Sequence, residues 1–271
     1  AMFAEAAALA AACAGRDGWD DPAPPARIFA DTWYVGTCGI SAVLIASPRG
    51  HVLIDGGTAK GGTLIARNVE ALGFRLRDVR WILSSHEHFD HVGGLAELTR
   101  LTGARVAALG SATPALRAGR SGTDDPQAGA LPDFAPIAVD RVLRDGESLA
   151  IGPLRLTAMA TPAHSPGGAS WRWQACERRV CRTIVYGDSL TPISAAGYRF
   201  ADHPERVAAF RAGAARLGAS PCDILVTPHP GASRLFERLS GTRPLADDAA
   251  CRRYAEAALA RLDERLAEER R

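Results

Sequence analysis

Eight consecutive residues constrain this chain more than any others: Ser84-Ser85-His86-Glu87-His88-Phe89-Asp90-His91. The apolar run Val79-Arg80-Trp81-Ile82-Leu83 before them reads as a buried strand, and Val92-Gly93-Gly94-Leu95 after them opens a helical pattern. His86, His88, Asp90 and His91 therefore sit on a tight turn leaving a strand end, where α/β proteins place chemistry on a rigid frame. Imidazole nitrogen and carboxylate oxygen are both zinc ligands. His86 and His88, two apart in an extended turn, can point to one side. Asp90 and His91 are adjacent and diverge, which suits a second ion. A catalytic zinc takes about three protein ligands and keeps an open position, so four ligands divided over two ions need help from elsewhere in the chain. The competing reading is a solvated, histidine-rich turn without metal.

Seven histidines limit the search for that help. His164 lies in the Pro/Gly-rich turn Thr161-Pro162-Ala163-His164-Ser165-Pro166-Gly167-Gly168, after the apolar strand 154–159. His229 lies in Thr227-Pro228-His229-Pro230, just past the apolar run Ile224-Leu225-Val226. Both repeat the order of the first turn: apolar strand, break, histidine. His51, in a hairpin turn, and His203, ahead of a helix, read as surface or capping residues.

The remaining pattern reads as a helix over 3–14, a Pro-rich linker Asp21-Pro22-Ala23-Pro24-Pro25, and strands near 27–35, 40–46 and 51–54. A helix over 60–72, the metal turn, a helix over 94–102 and a strand over 105–109 follow. Residues 119–138 are rich in Gly, Pro and Asp with no period, a long loop of the kind that carries function or moves. Strands recur at 140–143, 147–150, 154–159, 169–175, 180–186 and 223–227, with helices over 204–217 and 248–269. Val52-Leu53-Ile54-Asp55-Gly56 echoes Ile184-Val185-Tyr186-Gly187-Asp188, and Ile82-Leu83-Ser84-Ser85-His86 echoes Leu225-Val226-Thr227-Pro228-His229. The echo suggests two similar halves within one domain over 1–271, in an α/β fold of four layers: an αββα sandwich with helices outside and two sheets inside.

A net charge of +2 with dispersed basic residues gives no nucleic-acid footprint. The apolar stretch from Ala6 to Ala12 is too short to span a bilayer, so no membrane partner is expected. Ala1-Met2 reads as a remnant ahead of a mature chain from which a secretion leader has been removed. Six cysteines are an even number. Cys176 and Cys181 flank the polar turn Glu177-Arg178-Arg179-Val180, and a hairpin tip brings its two ends within disulfide reach. The other four leave several pairings open. Oxidised cysteines place the protein outside the cytosol, in a bacterial periplasm; six buried free thiols in a cytosolic enzyme are the alternative.

Taken together, His86-x-His88-x-Asp90-His91, His164 and His229 resemble the metallo-β-lactamase fold superfamily. Five further segments are similar to the third subclass (B3) of zinc β-lactamases: Thr32-Trp33-Tyr34-Val35-Gly36-Thr37-Cys38-Gly39, Val52-Leu53-Ile54-Asp55-Gly56-Gly57, Trp171-Arg172-Trp173, Asp188-Ser189-Leu190-Thr191 and Thr227-Pro228-His229-Pro230. Within it, the chain resembles disulfide-rich carbapenemases of the Adelaide imipenemase type. The resemblance implies two Zn2+ per chain, His86, His88 and His164 holding the first and Asp90, His91 and His229 the second. It implies hydrolysis of penicillins, cephalosporins and carbapenems by a hydroxide between the ions, oriented by Asp90, and thereby antibiotic resistance. It implies Cys13–Cys38 and Cys222–Cys251 as the remaining disulfides and a monomer as the working state. Ser189 and Thr191 match hydroxyls that bind the substrate carboxylate, and Gln127 matches a rim residue. Asp55 fits a supporting role behind the ligands, or that of a plain turn carboxylate.

Asp188 keeps a second enzyme in view. In glyoxalase-like thioesterases and lactonases of the same fold, an Asp in a Gly-Asp-x-Leu context bridges both metals, and Gly187-Asp188-Ser189-Leu190 is similar. The cysteines, the Trp-rich hairpin and the Thr32–Gly39 segment weigh toward the lactamase, with Asp188 in a supporting role. A secreted metal-binding module without catalysis is the third reading.

Overall fold

In the computed structural model, which describes residues 2–271, the chain opens with helix α1 (Met2–Ala12) and then builds a seven-stranded sheet. Its strands are β1 (Ala26–Phe29), β2 (Thr32–Tyr34), β3 (Val43–Ile45), β4 (His51–Ile54), β5 (Val79–Leu83), β6 (Arg105–Leu109) and β7 (Arg141–Leu143), paired in chain order. Helix α2 (Gly61–Ala71) joins β4 to β5, and helices α3 (Phe89–Val92) and α4 (Leu95–Thr102) join β5 to β6. Helix α5 (Thr113–Ala118) follows β6. A five-stranded sheet comes next, from β8 (Ser148–Ile151), β9 (Leu154–Ala160), β10 (Ala169–Glu177), β11 (Val180–Tyr186) and β12 (Ile224–Val226), in the order β12-β11-β10-β9-β8. Helix α6 (Pro204–Gly218) connects β11 to β12, and α7 (Leu235–Leu239) and α8 (Ala250–Glu269) end the chain.

Alternation along the strands explains the layering. In β4, Val52 and Ile54 enter the core between the sheets while Leu53 faces the helices behind; in β12, Ile224 and Val226 point inward and Leu225 outward. Strands buried on both faces need three apolar layers. The central one contains Tyr34, Leu83, Trp171, Trp173 and Tyr186. Behind the first sheet, Ile65 and Val69 of α2 pack with Leu95 and Leu98 of α4. Behind the second, Phe210 and Leu217 of α6 pack with Ala258 and Leu262 of α8. The result is the four-layer αββα sandwich that the strand and helix pattern predicts.

The sheets are latched along one edge. Ala169 N–H donates to Ser85 O (2.7 Å), Trp171 Nε1–H to Ser84 O (2.9 Å), Tyr186 O–H to the Asp55 carboxylate (2.8 Å) and Ser41 N–H to Pro228 O (2.8 Å). β4 runs parallel to β5 and β11 to β12, so turns from both sheets emerge at this edge.

The structure departs from the sequence pattern in a few places. The strand expected over 27–35 is broken into β1 and β2 by a reversal at Ala30 (φ 48°). The strand expected over 40–46 shrinks to β3, because Tyr34 O–H donates to Thr37 O and Ile40 O and folds residues 35–42 into a loop. Helices α3, α5 and α7, of four to six residues, are too short to announce themselves by periodicity. Disulfides join Cys13 to Cys38, Cys176 to Cys181 and Cys222 to Cys251, leaving no free cysteine among the described residues.

Cys222–Cys251 pins the start of β12 to α8 across a separation of 29 residues. Closing a loop of that length removes unfolded-state entropy equivalent to about 3–4 kcal/mol. The Cys222→Ser/Cys251→Ser double variant should lose about that much stability, seen as a lower denaturant midpoint; an unchanged midpoint would show that α8 docks without the tether.

Candidate metal centre

Five turns at the latched edge converge. The turn after β5 carries His86, His88, Asp90 and His91; those after β9, β11 and β12 bring His164, Ser189 with Thr191, and His229; that after β4 brings Asp55. The imidazole rings pack at 4.6 Å (His86–His88), 4.8 Å (His86–His164), 4.9 Å (His88–His164), 4.3 Å (His86–His91) and 4.9 Å (His91–His229). All but His229 are buried.

The ring nitrogens divide by partner. His86 Nδ1 lies 2.7 Å from Asp188 Oδ1, His88 Nε2 lies 2.7 Å from Asp125 Oδ2, and His164 Nδ1 lies 2.9 Å from both the carbonyl and hydroxyl oxygens of Thr191. Each ring thus spends one nitrogen on an oxygen partner and keeps the other for a ligand, the usual arrangement of metal-binding histidines. His86 Nε2 is buried without any hydrogen-bond partner, as are both ring nitrogens of His91. Buried polar atoms with no partner are costly, and a cation among these lone pairs would satisfy them.

Two groups bring their ligand atoms within 4.8 Å of one another: His86, His88 and His164, and His86, Asp90 and His91. His229 stands at the edge of the second group, with Nε2 3.4 Å from Asp90 Oδ2, on the side facing solvent. This donor set of imidazoles and one carboxylate suits zinc.

Electrostatics agree with that assignment. Burial and the neighbouring His91, His88 and His164 hold His86 far below its ordinary value; burial, with His88 beside it, lowers His164 to about 3. Neutral imidazoles are what a metal requires. Burial alone would lower His91, but Asp90 and Asp55 outweigh it and raise that ring; burial would raise Asp90, but His91, His229 and His86 outweigh it and push the carboxylate well below the usual range. His91 Nε2 lies 3.0 Å from Asp90 Oδ2, close enough for the two groups to attract but not aligned as a hydrogen bond.

The supporting residues have definite places. Asp55, fully buried at φ 67°, accepts from Ser85 N–H and Ser85 O–H (both 2.7 Å) and from Tyr186 O–H, and lies 3.9 Å from His91 Nδ1. Asp tolerates this left-handed conformation better than most residues. Asp188 joins neither ligand group: Oδ1 holds His86, and Oδ2 faces Gly168, where a Cβ would stand 2.5 Å from it. Ser189, Thr191 and Gln127 line a pocket of about 1270 Å³ with His88, Asp90, His164 and His229 in its wall. Because Thr191 Oγ1 accepts from His164 Nδ1–H, its own proton is free to donate into the pocket. Gln127 Nε2 lies 3.4 Å from His164 Nε2. His51 and His203 lie away from the cluster.

Three participants escape a reading of the sequence. Asp125 sits in the aperiodic loop and carries no local pattern. Glu87, buried beneath the turn, accepts from Gly167 N–H (2.8 Å) and Ser165 O–H (2.9 Å), which fastens the His164 turn to the first one. Trp19 places its ring 5.9 Å from His229 and forms part of the pocket wall. Glu87 was the most accessible of these, since it stands between two ligands.

Residues 35–177 match the metallo-β-lactamase superfamily, and the chain belongs to it. Within that superfamily, the solved structures most similar to it include subclass B3 metallo-β-lactamases. The metallo-β-lactamase MIM-1 from Novosphingobium pentaromativorans superposes with a TM-score of 0.95 at 55% identity, covering 97% of each chain. MEM-A1, a subclass B3 metallo-β-lactamase from a soil metagenome library, gives 0.90 at 44% identity over 93% of this chain and 98% of its own. Among curated relatives, a probable metallo-hydrolase of Burkholderia pseudomallei is 36% identical over 48% of this chain, which spans about half (46%) of that relative's length. A hydroxyacylglutathione hydrolase of Anaeromyxobacter dehalogenans is 28% identical over 78% of this chain and 68% of its own.

Since His91 holds its proton more tightly than an ordinary histidine, zinc entering the second group must displace it. Calorimetric titration of metal-free protein in buffers of different ionisation enthalpy should therefore show proton release, and affinity there should weaken as pH falls through the raised value. Uptake with no proton release would contradict the ligand role of His91.

Proposed function

We propose that this protein is a periplasmic zinc β-lactamase that opens penicillins, cephalosporins and carbapenems, and so confers resistance. One observation carries the reading most of the way: a buried cluster of imidazoles with unpartnered nitrogens, together with Asp90, in the wall of a pocket lined by Ser189, Thr191 and Gln127, on a chain 55% identical to MIM-1 throughout. Two zinc ions fit the residues, His86, His88 and His164 holding one, and Asp90 and His91, with His229 at the mouth, the other. Zinc would supply Lewis acidity, lowering the pKa of water and polarising a carbonyl.

The chain's own residues do the rest. The hydroxyls of Ser189 and Thr191 bind the substrate carboxylate and set the lactam carbonyl over the cluster. Trp19, 41% exposed, offers an apolar wall for substituents. Asp90 accepts a hydrogen bond from the attacking water and aims it. Solvent entering the open mouth protonates the departing nitrogen. Recognition needs only the carbonyl and the nearby carboxylate, shared by all three drug classes, which supports breadth. Three disulfides support the oxidising compartment. The large apolar side chains exposed at the surface, Trp19, Val142, Val180 and Ile193, include two in the pocket wall, which supports a monomer.

The hydroxyacylglutathione hydrolase relatives favour a second reading, thioester hydrolysis. The placement of Asp188 weighs against it, because Asp188 belongs to neither ligand group and its Oδ1 is taken by His86 Nδ1.

Zinc-loaded protein should hydrolyse a chromogenic cephalosporin, a penicillin and imipenem, lose activity to chelators and regain it with zinc. Ser189→Ala should raise KM about tenfold with little change in kcat, the loss of one hydrogen bond to a charged group. Brisk turnover of glutathione thioesters with the three β-lactams untouched would replace this reading with the second.

A further inference from the structure

We propose that Asp125 is a positioning residue that fixes His88 for the first metal and couples the pocket rim to the metal floor. Asp125 lies in the irregular stretch between α5 and β7, yet it is 2% exposed, while its neighbour Asp124 is exposed. Its two oxygens are divided. Oδ2 lies 2.7 Å from His88 Nε2, and Oδ1 accepts from Gln127 N–H at 2.8 Å. No helix or strand carries Asp125; the turn around it is held by Asp125 N–H to Gly122 O and Ala128 N–H to Asp125 O, and the stretch is tied outward by Ala195 N–H to Pro126 O.

A carboxylate only accepts hydrogen bonds, so His88 presents its proton on Nε2 and keeps Nδ1 as the nitrogen with a free lone pair. That completes a set in which each ring of the first group has its own oxygen partner, Asp188 for His86 and Thr191 for His164. Asp125 differs in also holding the rim. Through one side chain, Gln127, whose amide reaches within 3.4 Å of His164, is linked to His88, whose ring packs 4.9 Å from that same His164. A substrate that shifts Gln127 therefore acts on the orientation of His88, and losing Asp125 frees both at once.

The inference rests on the zinc reading of the cluster and not on the choice of substrate. The test compares Asp125→Ala, Asp125→Asn and Gln127→Ala with wild type by chelator competition, the absorption spectrum of the cobalt-substituted protein, and steady-state kinetics. Asp125→Ala should weaken the first site about 10–100-fold and alter the cobalt spectrum, the magnitude expected for removal of a partner behind a ligand. Asp125→Asn, with one acceptor oxygen for two donors, should fall between. Gln127→Ala keeps the backbone donor, so it should raise KM while leaving metal affinity alone. Nitrogen-15 NMR of histidine-labelled wild type, which needs no variant to fold, should show His88 protonated at Nε2. Protonation at Nδ1, or an Asp125→Ala protein with wild-type affinity and cobalt spectrum, would overturn the proposal. Failure of the β-lactam reading would show separately, as wild-type protein that binds zinc normally and leaves β-lactams intact.

Discussion

The structure depends on a buried carboxylate. Asp55 takes three hydrogen bonds, two from Ser85 on the turn after β5 and one from Tyr186 at the end of β11, at the point where the two sheets meet. A carboxylate buried this deeply is tolerated only with such compensation, and burial still pushes it above the ordinary range. The arrangement fixes the relation between the sheets where it matters, because the residue after Ser85 is His86. Positions of ligands drawn from both halves of the chain are therefore set by the frame. Ser84 and Ser85, receiving Trp171 Nε1–H and Ala169 N–H, extend the latch on either side.

Around that frame the metal centre is held by an outer ring of oxygen partners, each from a different turn. Asp188, Asp125 and Thr191 each take one nitrogen of a ligand ring, and Glu87 binds two turns together. Their common effect is to turn the remaining nitrogens toward a shared space. Four buried imidazoles this close would repel one another if protonated, and without a cation several of their nitrogens have no partner. The site is built at a cost that a metal offsets, which is how binding energy becomes folding energy in metalloproteins.

The parts legible in the sequence were those with a local signature. Dense ligand-type residues after an apolar strand announced the metal turn, and the repeated order of strand, break and histidine found His164 and His229. Short apolar strands and the long helices α6 and α8 were visible by period. The hidden parts had no such signature. The break at Ala30 depends on a single left-handed residue, and the short helices hold too few turns to show a face. Asp125 and Glu87 look like ordinary loop acids; only the tertiary fold brings one to His88 and the other to Ser165. Asp188 was ambiguous because its local context fits two families, and the direction of its two oxygens is a tertiary fact.

The proposed two-zinc site is tested most directly by metal content. Elemental analysis of protein dialysed after zinc loading should give two zinc ions per chain, falling toward one in His229→Ala as the second site loses its outermost ligand. A wild-type stoichiometry that stays at or below one under zinc-replete conditions would contradict it.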